Sequence, residues 1–289
     1  MRIAVFSHCV IDTIQIGNIS NEQVGGPACY CSITAKNLKN DATLYTKFGN
    51  DFPKDLLLSN NINFEDSLSE QSTTRFKIII NGSDRTLFLQ NACESIEYSQ
   101  INADGVIISP VYHEISNDVY KKIKNDSNFT ILDPQGFLRQ IDSEKKIILE
   151  KTEIDLSKIS AIKVNDDELF CLTNENGIEA MKKLQKRGVE NVIFTNEREI
   201  SVLVKDKLYS ITLPNLKLFD TTGIGDIFCS TFCCTMLKEK DFFWALCFAG
   251  GAAQAAIESK KFGLDKIPAK GATETNAAYF YNQVKFKQV

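Results

Sequence analysis

Asp220-Thr221-Thr222-Gly223-Ile224-Gly225-Asp226 is the stretch on which the reading of this chain turns. It follows a β-like segment and opens a long apolar run from Ile227 through Phe232 to Leu237. Two glycines two apart, just before a helix, let the backbone turn tightly and aim several N–H groups the same way. The helix N-terminus adds partial positive charge, so the loop can cradle an anion. Asp226 stands directly beyond those donors as a proton acceptor. The pair suits phosphoryl transfer, in which a protein chiefly positions the reactants and neutralises charge. The same residues also make an ordinary turn with an Asp or Thr N-cap. The loop lacks the Gly-Lys-Ser/Thr of a P-loop. It also lacks the third glycine and the early chain position of a dinucleotide fingerprint, which disfavours an oxidoreductase.

Outward from the loop, the chain alternates between strands and helices. Ile3-Ala4-Val5-Phe6, Val106-Ile107-Ile108, Thr130-Ile131-Leu132, Ala161-Ile162-Lys163-Val164 and Val192-Ile193-Phe194 read as strands buried on both faces. Helices are predicted from Cys29 to Leu38, Val119 to Ile123, about Gly177 to Arg187, Ile227 to Leu237 and Phe243 to Ile257, with a last one around Tyr279-Phe280-Tyr281. This rhythm predicts βαβ units and a mainly parallel sheet. Ligands bind beyond the carboxyl ends of such strands, where Asp12, Asp133, Asn165 and Thr195 all fall. Other segments interrupt the rhythm. Thr13 to Ile16 and Arg75 to Ile80 alternate, and Thr86 to Gln90 pairs with the latter across Asn81-Gly82-Ser83-Asp84. A further hairpin runs from Ser201 to Leu213, turning at Asp206-Lys207.

The loop resembles the signature of the ribokinase-like (PfkB) carbohydrate kinases, normally Asp-Thr-x-Gly-Ala-Gly-Asp. Val24-Gly25-Gly26-Pro27-Ala28 resembles the family's other signature, a glycine pair opening the first long helix. The resemblance implies a ribokinase-like three-layer α/β/α fold with a central mainly parallel sheet and a small β-sheet lid. It implies one kinase domain over residues 1–289, with lid strands at about 12–20 and 73–91. The implied activity is ATP-dependent, Mg²⁺-assisted phosphotransfer to a hydroxyl of a small sugar, polyol or nucleoside. By the same resemblance Asp226 is the base, and Gly223, Ile224 and Gly225 form the anion hole. Asp12, Gly25, Gly26 and Gln135 bind the substrate. Asn165, Glu168, Thr195, Thr222, Gly223, Gly225 and Ala252 lie at the nucleotide, with Glu168 reaching the metal through water.

Several positions carry a second reading. Asp12 can be a turn residue, and Asn165 can cap a helix whose first turn is acidic. Ala249 to Ala253 can serve close helix packing as well as a flat ring. His8 can contact substrate or fill a strand end, and Arg85 can reach substrate or solvate the hairpin edge; the second reading is preferred for both. Two departures stand out. Tyr30 occupies the family's usual asparagine position. Together with Ser109-Pro110-Val111 and Asp133-Pro134-Gln135-Gly136, it resembles the myo-inositol-kinase-like branch. Thr195-Asn196-Glu197-Arg198-Glu199-Ile200 lacks the family's two glycines, which motivates the rival reading of a non-catalytic ligand sensor on a kinase fold.

Composition agrees with a soluble globular protein. The chain has 289 residues, 43% hydrophobic and 24% charged, with net charge −4 and pI near 5.4. Basic residues are scattered, so no nucleic-acid partner is expected. The apolar run from Phe242 to Ile257 is too short for a membrane span. Nine cysteines without Cys-x-x-Cys read as reduced thiols of a cytoplasmic protein. The open edges of lid strands suggest a homodimer formed through the lid.

Overall fold

The computed structural model describes residues 1–64, 66–81, 84–214 and 220–289. A ten-stranded sheet runs, edge to edge, through Lys285–Gln288, Lys207–Thr212, Glu199–Val204, Asn191–Asn196, Ala161–Val164, Thr130–Leu132, Gly105–Ile108, Arg2–Phe6, Asp41–Tyr45 and Asn63–Phe64. From Asn191–Asn196 to Asn63–Phe64 every pairing is parallel. The three pairings at the other edge are antiparallel.

The continuous apolar strands are buried on both faces, and the pleat divides their side chains between two cores. Ile3 and Val5 join one core, with Ala28, Phe228, Phe232 and Ala249 from the helices Gly26–Asn37, Ile224–Glu239 and Phe242–Glu258. Ala4 and Phe6 join the other, with Tyr120, Leu169 and Leu184 from Asn117–Asn125, Asp166–Thr173 and Gly177–Lys186. The same alternation puts Ala161 in the first core and Ile162 and Val164 in the second. Lys163 therefore points towards the helix Ile224–Glu239.

A separate four-stranded sheet has the order Ile19–Gly25, Val10–Ile16, Thr74–Asn81, Asp84–Asn91. Its first strand starts earlier than the alternation predicts and reverses after Ile16, where Gly17 takes a positive φ of 56°. The return strand Ile19–Gly25 is hard to read from sequence, because Ser20-Asn21-Glu22-Gln23 is polar throughout. The predicted hairpin holds, with Asn81 opposite Asp84; its central residues Gly82 and Ser83 lie outside the described residues. Among the described residues no helix is long and apolar enough to cross a membrane.

Candidate active site

The loop of residues 220–226 sits where the small sheet faces the carboxyl ends of the parallel strands. Gly223 has φ 78° and starts the helix Ile224–Glu239. A Cβ on Gly223 would lie 2.5 Å from the Tyr30 ring, so only glycine lets the loop lie on that ring. Gly26, with φ 79°, is equally constrained: its Cβ would meet Val10 Cγ2 at 2.7 Å and the His8 carbonyl at 2.9 Å. Tyr30 thus supports the loop from below, and its hydroxyl accepts a hydrogen bond from Gln23 Nε2 at 3.1 Å.

A cavity of about 250 Å³ opens between the small sheet and this loop. Asp12, Gly26, Gln135, Thr222, Gly223, Gly225 and Asp226 line it, bringing together most of the sequence-predicted residues. Its apolar wall is Val10, Phe76, Ile78, Leu87 and Val111. The carboxyls of Asp12 and Asp226 make no hydrogen bond to a described residue. Burial, helped by Asp133, raises Asp226 from 3.8 to about 7 against the opposing pull of Lys163, Arg139 and Arg85. Burial likewise raises Asp12 to about 7 against the opposing pull of Arg85 and Arg139. Both carboxyls stay in the deep part of the fold yet open onto the cavity.

A second cavity, of about 360 Å³, lies on the other side of the loop. Asn165, Thr195 and Ile224 line it with Glu197, Arg198 and an apolar wall that includes Ile200, Leu213, Phe228, Ala253 and Ile257. Ala252 itself packs in the core, and its neighbour Ala253 faces the cavity. Lys163, Thr221 and Gly225 line both cavities, so they form the partition between them. Lys163 Nζ donates to Asp133 Oδ2 at 2.7 Å, and a Cβ on Gly225 would lie 3.4 Å from it. Burial would lower the Lys163 pKa, but Asp133 and Glu168 hold it above its ordinary value.

The loop's donors are divided. Ile224 N–H is turned to Thr221 O at 3.3 Å, so it is spent on the turn rather than on an anion. The N–H groups of Gly223, Gly225 and Asp226 have no partner among the described residues. Asn165 and Glu168 form a reciprocal capping box, each side chain accepting the other's backbone N–H at 2.9 Å. Burial raises the Glu168 pKa in spite of Lys163. Among the described residues no group of three or more His, Cys, Asp or Glu is placed to cage a metal.

Sequence reading missed Lys163 and Arg139 as site residues and preferred the edge reading of Arg85. Arg85 lines the first cavity rather than only a solvated edge. Arg139 lines it too, donating to Gln135 Oε1 at 2.6 Å and Val111 O at 3.0 Å over the Phe76 ring. The available signal was Lys163 itself, a charge inside an apolar strand. Gly25 adjoins the cavity without lining it; a Cβ there would meet Tyr30 Cε2 at 3.1 Å. His8 is structural, bonded to Glu94 O and Thr74 Oγ1, each at 2.8 Å.

The model of the pfkB family of carbohydrate kinases matches residues 3–269. A ribokinase of Haemophilus influenzae is 31% identical over 125 residues, which is 41% of this chain and 40% of that protein. A ribokinase of Arabidopsis thaliana is 28% identical over 152 residues. The chain thus spans about two fifths of the length of these curated relatives. Among solved structures, a pyrophosphate-dependent kinase in the ribokinase family, complexed with a pyrophosphate analog and myo-inositol, superposes with a TM-score of 0.82. That pair is 22% identical, covering 94% of this chain and 99% of the other. Arabidopsis thaliana ribokinase complexed with ribose and ATP gives 0.76 at 18% identity, covering 95% and 98%. At these identities the structures establish the shared fold.

Proposed function

The chain belongs to the pfkB family of carbohydrate kinases, and on that footing we propose that it transfers the γ-phosphoryl group of ATP to a hydroxyl of a small polyol or sugar. The observation that carries this reading is the partition: Gly225 and Lys163 separate an acceptor cavity holding Asp226 from a donor cavity with an apolar wall. Asp226, with a pKa of about 7, takes the proton of the attacking hydroxyl near neutrality. The N–H groups of Gly223, Gly225 and Asp226 face the charge that develops on the transferred group. Asp12 accepts acceptor hydroxyls in a fixed geometry. Asn165 and Glu168 would help hold Mg²⁺, whose charge would offset that of the donor's phosphates.

For the acceptor we favour a neutral cyclic polyol such as myo-inositol. Tyr30, Gln135 and Arg139 support that choice, and the similar pyrophosphate-dependent kinase was solved with myo-inositol. For the donor, Ile200, Leu213, Phe228, Ala253 and Ile257 offer an adenine ring an apolar wall that pyrophosphate would leave uncovered. Nine free thiols suit a reducing cytoplasm. Ile16 and Ile19, 50% and 67% exposed at the tip of the small sheet, suit a homodimer formed through it.

The test is phosphotransfer from ATP and from pyrophosphate across myo-inositol, ribose, fructose, fructose 6-phosphate, adenosine and cytidine. Turnover with ATP, lost by about 10²-fold or more in Asp226→Asn, is the expected result. Near-normal turnover by that variant would remove Asp226 as the base. Absence of turnover from folded protein that binds ATP and a sugar would favour the sensor.

A further inference from the structure

Lys266 ends the short 3₁₀ segment Gly263–Lys266, and its side chain is fully buried. Its ammonium has three N–H donors, and three oxygens of the 220–222 stretch take them. Nζ lies 2.6 Å from Asp220 Oδ2, 3.0 Å from Asp220 O and 2.7 Å from Thr222 O. The Asp220 carboxylate is itself tied down: Oδ1 accepts from Thr222 N–H at 2.9 Å, and Oδ2 also accepts from Gly263 N–H at 3.0 Å. The Tyr30 ring lies 5.8 Å from the same ammonium, directly under Gly223.

A carboxylate and two carbonyls converging on one compact cation is the chemistry with which proteins hold a monovalent ion. Here the ion is attached to the chain. The oxygens it gathers belong to the residues that immediately precede Gly223, Gly225 and Asp226, whose N–H groups have no partner among the described residues. Turning Asp220 O and Thr222 O inward fixes the peptide planes of the turn, and so the direction of the N–H groups that follow.

We propose that Lys266 is a positioning residue that serves as a tethered monovalent cation, shaping the anion-binding loop and freeing the protein from any need for potassium or ammonium. Its effect on rate rests on the kinase reading; its effect on the loop does not.

The test uses Lys266→Ala and the unaltered protein in KCl, NH₄Cl or tetramethylammonium chloride at one ionic strength, read by turnover and by unfolding temperature. The unaltered protein should respond equally to the three salts. Lys266→Ala in tetramethylammonium chloride should lose about 10²-fold in turnover, the scale of a displaced catalytic group. Potassium or ammonium should enter the vacated oxygen cage, restore much of that rate and raise the unfolding temperature in a concentration-dependent way. A purely structural lysine would show no such ion-specific rescue. No rescue of either readout, or stimulation of the unaltered protein by potassium, would overturn the proposal.

If Lys266→Ala fails to fold, Lys266→Met/Asp220→Asn removes both buried charges. That variant should fold, ignore the salts and turn over poorly; normal turnover by it would overturn the proposal. If no acceptor is phosphorylated at all, the kinase reading falls, and the unfolding temperatures still decide whether the cage accepts an ion.

Discussion

Asp226→Asn should make the protein more stable as well as inactive, and the gain should depend on pH. The folded state raises the Asp226 pKa from 3.8 to about 7. Each unit is worth about 1.4 kcal/mol, so ionised Asp226 costs the folded state about 4 kcal/mol above pH 7. Lys163, Arg139 and Arg85 already reduce that cost, because the shift is what remains after their pull. The sign follows from proton binding. Between the unfolded and folded values the native state holds the proton that the unfolded chain releases, so stability falls as pH rises through this window. The loss is complete above about pH 7 and absent below about pH 4. Asparagine cannot ionise and escapes the cost. Urea unfolding at pH 8 should therefore show Asp226→Asn ahead by about 2–4 kcal/mol, the lower figure allowing for burial of the amide. At pH 5 the gap should close by about two units' worth, or about 2.7 kcal/mol. Equal stability at pH 8, or a gap that does not change with pH, would refute a partly desolvated, unpaired Asp226.

Three further outcomes follow from the same geometry. Lys163→Met leaves Asp133 buried without its cation and should destabilise the fold by about 3–5 kcal/mol in denaturant titrations, with Asp133→Asn added in the same chain restoring most of it. The log of kcat/KM should fall on the acid side of about pH 7 with a slope approaching two, because Asp12 and Asp226 both titrate there; Asp12→Asn should leave a slope of one, a loss of about tenfold per pH unit. Gly223→Ala places a methyl 2.5 Å from the Tyr30 ring at φ 78°; it should cost about 1–3 kcal/mol in stability and depress kcat more than acceptor KM.

The sequence alone determined the strand–helix alternation, and with it a mainly parallel sheet whose carboxyl ends carry Asp133, Asn165 and Thr195; Asp12, expected at the end of the first strand, lies instead inside the small-sheet strand Val10–Ile16. Such patterns are local: apolar runs, caps and glycine turns act through neighbouring residues, so a single pass along the chain reveals them. It also determined the 220–226 loop, whose glycines and aspartate are contiguous. Only the tertiary structure decided how charges from distant segments meet. Lys163 belongs to an apolar strand, Arg139 follows a one-turn helix, Arg85 comes from the small sheet and Lys266 from near the C-terminus, yet all four lie around one loop. It likewise showed that Tyr30 supports Gly223, that Ile224 N–H is used by the turn, and that Ala253 rather than Ala252 lines the second cavity. Coulomb energy depends on distance through space and on the dielectric around the charges, and sequence separation sets neither. A buried lysine and a surface lysine read alike in the chain; only packing separates the one that holds a loop from those that face water.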